Sequence, residues 1–162
     1  MWAPGWDAPL YGLWTLPGEP GEVGRKCVTL HRHLADLHAL EPLTRIGFEG
    51  GIAPSTLQGF TNVTTINLLV GLASHVESFG FAVSARVRQV PISAWRKHAL
   101  GKGSGYKRAE WKKMSMARAR EMGWAPQTDD VADSLMVLDY LVYLSALTPP
   151  WRDATVLRRE IA

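Results

Sequence analysis

The chain has 162 residues, enough for one domain with a substantial hydrophobic core, and its 46% apolar and 20% charged residues are ordinary for a soluble globular protein. No run approaches the roughly 18 uncharged apolar residues of a membrane-spanning helix, and the first residues lack the basic start and apolar run of a signal peptide. Cys27 is the only cysteine. No intramolecular disulfide can form, so we expect a cytoplasmic protein with no membrane partner.

The positive charge is concentrated in one segment. Residues 95–120 contain nine Lys and Arg against one acid, so the segment carries +8 within a chain of +3 and leaves −5 for the remainder. Such a basic block on a near-neutral chain indicates a surface that faces a polyanion, while a solvated helix face is the alternative. The nine residues are Arg96, Lys97, Lys102, Lys107, Arg108, Lys112, Lys113, Arg118 and Arg120.

The first third of the chain predicts a strand, a helix and a second strand. Large apolar residues dominate 9–16 before a Pro-Gly stop, which favours a strand. From 22 to 40 the apolar residues recur at spacings of three and four, which is typical of a helix. Residues 44–48 form a short apolar run that predicts the next strand.

The middle of the chain predicts a loop, a helix and a half-exposed strand. Residues 50–60 are rich in Gly, Pro and Ser and read as a loop. Thr61 or Asn62 can cap a helix that continues to about Phe79. Alternation of apolar with small or basic residues over 81–90 predicts a strand that Pro91 ends.

The last third predicts three helices. They cover 93–100, about 107–122 and about 129–147, and the third is apolar around much of its circumference, which is typical of a central helix. Pro149 and Pro150 end it, and a polar tail follows. Strands alternating with helices predict an α/β layered domain over 1–148 with a C-terminal tail, 149–162.

Two acidic features stand out chemically. Glu49 directly follows a buried-type strand where a loop begins, the place where active-site groups commonly lie in open α/β sheets. Asp130 and Asp133 are three residues apart at the start of a helix, so they share a face. Acids in a first helical turn also complement the positive end of the helix dipole, and we expect Asp129 to have only that role.

Taken together, Glu49, Asp130 and Asp133 suggest a metal site. Clustered carboxylates repel one another unless a cation lies between them, and hard oxygen ligands suit Mg²⁺ or Mn²⁺. Two such ions can hold an attacking water and a leaving oxygen in line on a phosphodiester. The basic block would then hold the phosphates.

Three motifs, in order, resemble a known family. The first is Phe-Glu-Gly at 48–50, followed by a loop and Asn-Val-Thr-Thr at 62–65. The second is Val-Pro-Ile-Ser-Ala-Trp-Arg-Lys at 90–97. The third is Gly-Trp-Ala-Pro at 123–126 with Asp-Asp-Val-Ala-Asp-Ser-Leu at 129–135. Their order and spacing are similar to those of the RuvC-like Holliday junction resolvases of phages and prophages.

The resemblance covers residues 2–147 and implies an RNase H-like fold, a mixed sheet flanked by helices. It also implies metal-dependent cleavage of branched DNA, such as a Holliday junction, often by a homodimer. Glu49 would bridge the metal ions, and Asp130 and Asp133 would complete the ligand set.

The family pattern also implies DNA contacts. Phosphate contacts are implied at Lys97, Lys107 and Lys112. Phe60 would be an aromatic probe of the junction, with a core or hinge role as the alternative.

The sequence departs from the family pattern at its beginning. The family's first strand carries the central metal-binding Asp, and only Trp2-Ala3 matches the end of that motif here. Asp7 lies beyond the motif and cannot replace the missing Asp without a different geometry. We therefore expect the first central strand to be missing or altered. Either the start lies too far downstream, at Met1, or this is a short form without catalysis.

Three functional hypotheses follow. The first is a structure-selective endodeoxyribonuclease, which rests on the three acids and the basic block. The second is a catalytically inactive, DNA-binding relative, which rests on the same block and the absent Asp. The third is an unrelated α/β interaction domain whose acids are helix caps and whose basic block is a solvated face.

Overall fold

The computed structural model describes residues 1–19, 21–50 and 63–152. They form a mixed α/β structure that is mostly helical, with a parallel sheet of two strands. The elements are α1 (Val23–Leu40), β1 (Arg45–Glu49), α2 (Val63–Ala82), β2 (Arg86–Val90), α3 (Ile92–Leu100), α4 (Arg108–Glu121), α5 (Asp129–Leu144) and a short 3₁₀ helix (Pro150–Arg152).

The described chain divides into two compact units. The first unit consists of residues 1–13 and the described residues from 90 onward, and the second consists of the described part of 14–89. No helix of the described residues is long and apolar enough to cross a bilayer.

The second unit is a βαβ arrangement preceded by a helix. Leu34 of α1 packs with Val76 and Phe79 of α2, and partly buried side chains of both strands complete this small core. Gly80 allows the close approach of α2 to β2, because a Cβ at this position would lie 2.0 Å from Cγ2 of Val87.

The first unit is built around α5, as its apolar circumference predicts. Seven of its residues are buried, and it contacts both α3 and α4. The Thr128 hydroxyl caps its N-terminus by accepting a 3.3 Å hydrogen bond from the Val131 amide. Trp95 of α3, which is completely buried, belongs to the same core.

The helices at 22–40, 93–100 and about 107–122 and the strand at 44–48 are confirmed to within one or two residues. The predicted strand at 9–16 is wrong, since that segment forms no ladder. In place of a partner strand, the Leu10 amide and carbonyl form hydrogen bonds with the carbonyl and the amino group of Met1.

Two element boundaries also differ from the predictions. The strand expected from residue 81 begins at Arg86, because α2 continues to Ala82 and a turn follows in which Ser84 has a φ of +58°. The helix expected to reach residue 147 ends at Leu144, before Ala146 adopts a φ of +53°. The prolines therefore follow the helix end rather than cause it.

Two predictions fall wholly or mainly outside the described residues. The loop at 50–60 is described only at Gly50, and the caps at Thr61 and Asn62 are not described. The tail at 149–162 is described to residue 152, and its first residues are not a polar appendage. Trp151 is only 5% exposed and packs into the core of the first unit.

Candidate functional site

The acidic trio is distributed over both units. Glu49 ends β1 in the second unit, with an exposed side chain, while Asp130 and Asp133 lie at the start of α5 in the first unit. Within 1–19, 21–50 and 63–152, no group of three or more His, Cys, Asp and Glu side chains is placed to hold a metal ion. The three-carboxylate site stays a prediction.

Asp133 has an unusual environment for a carboxylate. The residue is half-buried, and its Oδ1 is buried without a hydrogen bond of ordinary geometry among the described residues. Burial raises the pKa of Asp133 above its usual value, and nearby Asp129 and Asp130 add to the rise, while the Ser115 hydroxyl and Arg96 oppose it. The ionised form therefore lies in a site that does not fully compensate its charge.

The Ser115 hydroxyl beside Asp133 comes from α4 and is completely buried. Neither Asp133 Oδ1 nor Ser115 Oγ makes a hydrogen bond of ordinary geometry among the described residues. The hydroxyl is nevertheless close enough to lower the pKa of Asp133 by hydrogen bonding. Asp133 therefore has one weak neutral donor, and burial still outweighs it.

Arg96 is held in place by two indole rings. Its guanidinium carbon lies 5.2 Å from the ring centroid of Trp95 and 4.7 Å from that of Trp111. Both indoles are buried, at 0% and 5% exposure. These cation–π contacts fix a positive charge near Asp133 on a rigid support.

Asp129, which precedes Asp130 and Asp133 on α5, is already paired with a cation. Asp129 forms an ion pair with Lys112, whose hydrogen bond lowers the pKa of Asp129. Asp129 lies in the first turn of α5, as predicted. The pair borders an open depression of about 590 Å³ lined by Lys112, Lys113, Met116, Arg120, Gln127, Thr128 and Asp129.

All the predicted phosphate contacts that the structure describes lie in the first unit, on α3, on α4 or in the loop between them. Arg96 and Lys112 are half-buried. The exposed members are Lys97, Lys102, Lys107, Arg108 and Lys113. Phe60 lies outside the described residues. The described part of the basic block thus lies within one unit, and three of its cations are near the start of α5: Arg96 near Asp133, and Lys112 and Arg108 near Asp129.

A second polar cluster was missed by sequence reasoning. Asp139 of α5 has no exposed surface, yet it is an acid within an otherwise apolar helix. Its Oδ1 accepts hydrogen bonds from Trp151 Nε1 at 2.9 Å and Arg152 Nε at 2.7 Å. Its Oδ2 contacts Arg152 Nη2 and lies 3.1 Å from Nε2 of His98 on α3.

The charges of this cluster are set by the same contacts. Burial would raise the pKa of Asp139, but the hydrogen bonds from Arg152 and Trp151 outweigh it and hold the pKa below the usual value. Burial lowers the pKa of His98, and Arg152 lowers it further against the attraction of Asp139. Asp139 and Arg152 thus form a buried ion pair beside a histidine that is neutral at pH 7.

The cluster left one signal in the sequence. Asp139 is the single acid in the middle of a helix that is otherwise apolar there, and such an acid requires a buried partner. The partner, Arg152, lies beyond the two prolines, in the segment read as a tail.

No family model matches the chain, and no curated protein or solved structure is significantly similar to it.

Proposed function

We propose that the chain is a metal-dependent endodeoxyribonuclease that acts on branched DNA such as a Holliday junction. The observation that carries the proposal is Asp133, a carboxylate whose pKa is raised by burial and whose Oδ1 makes no hydrogen bond of ordinary geometry among the described residues, in the unit that also carries the exposed cations. Structural carboxylates are normally paired in full, as Asp139 is, whereas catalytic carboxylates are often left uncompensated.

The cations of the unit that contains Asp133 support a nucleic acid as the partner. Arg96 has a fixed position on two indoles, and Lys107, Arg108 and Lys113 are exposed. A set of dispersed, solvated cations of this kind binds the phosphates of a nucleic-acid backbone. Such contacts do not depend on the base sequence. In this proposal the selectivity for branched DNA comes from shape.

The residues present fit a hard divalent cation. Asp133 supplies a carboxylate whose neighbouring neutral donor is the Ser115 hydroxyl, and Asp130 is an exposed carboxylate one helical turn earlier. In the proposal these two, with Glu49 from the RuvC-like pattern, hold Mg²⁺ or Mn²⁺. When bound, the metal would supply an activated water and stabilise the leaving oxygen of the phosphodiester.

The chain's own side chains have distinct roles in the proposal. The positive charge of Arg96 lowers the pKa of Asp133 and so opposes the effect of burial. Lys112 holds Asp129 and so keeps this third carboxylate out of the ligand set. The exposed lysines and arginines position the DNA backbone, and this fixes the scissile phosphate relative to Asp133.

The fold proposed with this activity is RNase H-like. The parallel pair β1 and β2, the helices that precede them and the acidic start of α5 agree with that order of elements. A homodimer, which would present two such sites to a two-fold symmetric junction, is part of the same proposal.

A second candidate function is DNA binding without cleavage. The observation that favours it is that the described basic surface lies entirely in the first unit and depends on neither Glu49 nor a metal. The two candidates predict the same affinity for DNA. They differ only in whether Mg²⁺ produces cleavage.

The DNA-binding part is tested by fluorescence anisotropy on a labelled four-way junction over a series of salt concentrations. Substituting Lys107, Arg108 and Lys113 by Ala should weaken binding and reduce the slope of log K against log salt by about 0.9 for each lost phosphate contact. A matched control removes three exposed arginines of the second unit, Arg45, Arg86 and Arg88. Equal effects of both triple variants, or no binding by the wild type, would contradict the proposal.

A further inference from the structure

An exposed tyrosine lies in the middle of the basic surface. Tyr106 precedes α4 and is 38% exposed. Its neighbours in sequence include Lys107 and Arg108, both exposed. Aromatic rings of this size usually bury more of their surface, so an exposed ring among cations is a candidate contact for a ligand.

The ring of Tyr106 is fixed from one side. Trp111, which is buried, lies perpendicular to it at 88° with a centroid distance of 5.1 Å. Perpendicular packing of this kind covers at most one of the two faces of the tyrosine ring. The ring thus packs against a buried indole, and the same indole also makes the cation–π contact with Arg96.

Lys102 contacts Tyr106 at the hydroxyl end of the ring. Lys102 Nζ lies 3.3 Å from the Tyr106 hydroxyl oxygen and 5.3 Å from the ring centroid. The ammonium group is therefore beside the hydroxyl and not above the centre of the ring. It contributes positive charge close to the ring without covering it.

The loop that carries Tyr106 has a defined shape. Gly101 and Gly105 have φ values of +76° and +98°, which L residues with side chains rarely adopt. At Gly103 a Cβ would lie 2.7 Å from the carbonyl oxygen of Ser93, so the loop packs closely on the start of α3. The backbone of this loop thus has a specific conformation, and the ring that it carries packs on Trp111.

We infer that Tyr106 is a stacking platform for an unpaired nucleobase of branched DNA, with Lys102 and Lys107 contacting the adjacent phosphates. The inference rests on the proposed DNA-binding function and specifies what the site would contact in branched DNA: a base that is unpaired at the branch point. A paired base has both faces covered by its neighbours in the duplex, whereas an unpaired base can stack on an aromatic ring whatever its sequence.

A purely structural role would be packing on Trp111. That role accounts for the perpendicular contact between the two rings. It does not require the ring to remain 38% exposed among cations. A Leu substitution distinguishes the two roles. Leucine can still pack on Trp111, but it cannot stack on a base.

The test uses two DNA probes with 2-aminopurine, one with the analogue in an unpaired position at a four-way junction and one with it inside a continuous duplex. Tyr106→Leu should weaken binding of the junction probe about tenfold, abolish the fluorescence change on binding, and leave duplex affinity unchanged. Tyr106→Phe should behave as the wild type. The control is Phe81→Leu, which removes an exposed aromatic ring of the second unit (89% exposed) and should have no effect on either probe.

The outcomes separate the inference from the function on which it rests. If the wild type binds both probes and Tyr106→Leu matches it on the junction probe, the stacking role is overturned and DNA binding stands. If Tyr106→Leu loses affinity for both probes equally, the residue contributes to folding or general binding and the inference again fails. If the wild type binds neither probe, both the inference and the proposed function are overturned.

Discussion

Nε of Arg152 donates a 2.7 Å hydrogen bond to Oδ1 of Asp139, a carboxylate with no exposed surface. The arginine belongs to the short 3₁₀ helix that follows two prolines, and the aspartate lies within α5. The contact ties the end of the described chain to the central helix of the first unit. It also explains how an acid can occupy the core, because a guanidinium and an indole N–H satisfy it.

Removing Arg152 should destabilise the first unit strongly. Arg152→Ala leaves Asp139 buried without its counter-charge, so we expect the free energy of unfolding to fall by about 3 kcal/mol. This value is at the lower end for breaking a buried ion pair, because the Arg152 side chain is itself 31% exposed. Urea unfolding followed by tryptophan fluorescence measures it, since six of the seven tryptophans belong to this unit. Arg120→Ala, at an exposed position, is the control, and an equal loss in both variants would contradict the account.

The histidine of the same cluster should make stability depend on pH. The pKa of His98 is lowered from 6.5 in the folded protein, so the unfolded chain binds the proton more tightly. The contribution of neutral His98 to the free energy of unfolding is therefore fully present above pH 6.5. It is lost as the pH falls from 6.5 through the pKa of His98 in the folded protein. His98→Gln should flatten this part of the profile in urea unfolding between pH 7.5 and 5. A variant profile as steep as that of the wild type would show that His98 does not cause it.

Replacing Asp133 should stabilise the protein. Because the pKa of Asp133 is raised, the folded state holds the proton more tightly, and stability falls as pH rises through the folded pKa. Asp133→Asn removes this cost, so at pH 7 we expect about 1 kcal/mol of added stability, or about 3 °C in Tm. The gain should vanish below the ordinary carboxyl pKa of 3.8. Asp130→Asn, at an exposed position, serves as the control. A Tm of Asp133→Asn at or below the wild-type value would argue against an uncompensated carboxylate.

Two glycines of the second unit should respond oppositely to alanine. At Gly80 a Cβ would lie 2.0 Å from Val87, so Gly80→Ala must displace α2 from β2 and should cost about 1–3 kcal/mol. Gly24 on α1 has nothing within 4 Å of its Cβ position, so alanine there should add about 0.5–1 kcal/mol through helix propensity. Thermal unfolding followed by far-UV circular dichroism distinguishes them. Similar shifts of the same sign would contradict the packing described for this unit.

The sequence predicted the helices well because their signals are local. The spacing of Leu34 and its neighbours fixes α1, and the apolar circumference of α5 predicts its central place. The strand at 9–16 failed for the opposite reason. Apolar residues there satisfy the strand pattern, but a strand needs a partner, and the Leu10 backbone bonds Met1 instead.

The sequence predicted which residue types the candidate site contains. It did not predict which side chains contact one another there. The basic surface follows from charge counting alone, and the described members of the set do lie in one unit. Nothing local indicates that Ser115 lies beside Asp133, or that Arg152 reaches Asp139 across 13 positions. Those contacts depend on how α4 and the terminal 3₁₀ helix pack on α5, which periodicity does not specify.

The most direct test of the proposed function is cleavage of a labelled four-way junction in the presence of Mg²⁺. The account predicts cleavage by the wild type and by Asp129→Asn, whose carboxylate is already paired with Lys112. It predicts at least a hundredfold lower rate for Asp133→Asn and Glu49→Gln, with junction affinity retained. Binding without cleavage by the wild type, or equal cleavage by Asp133→Asn and Asp129→Asn, would contradict it.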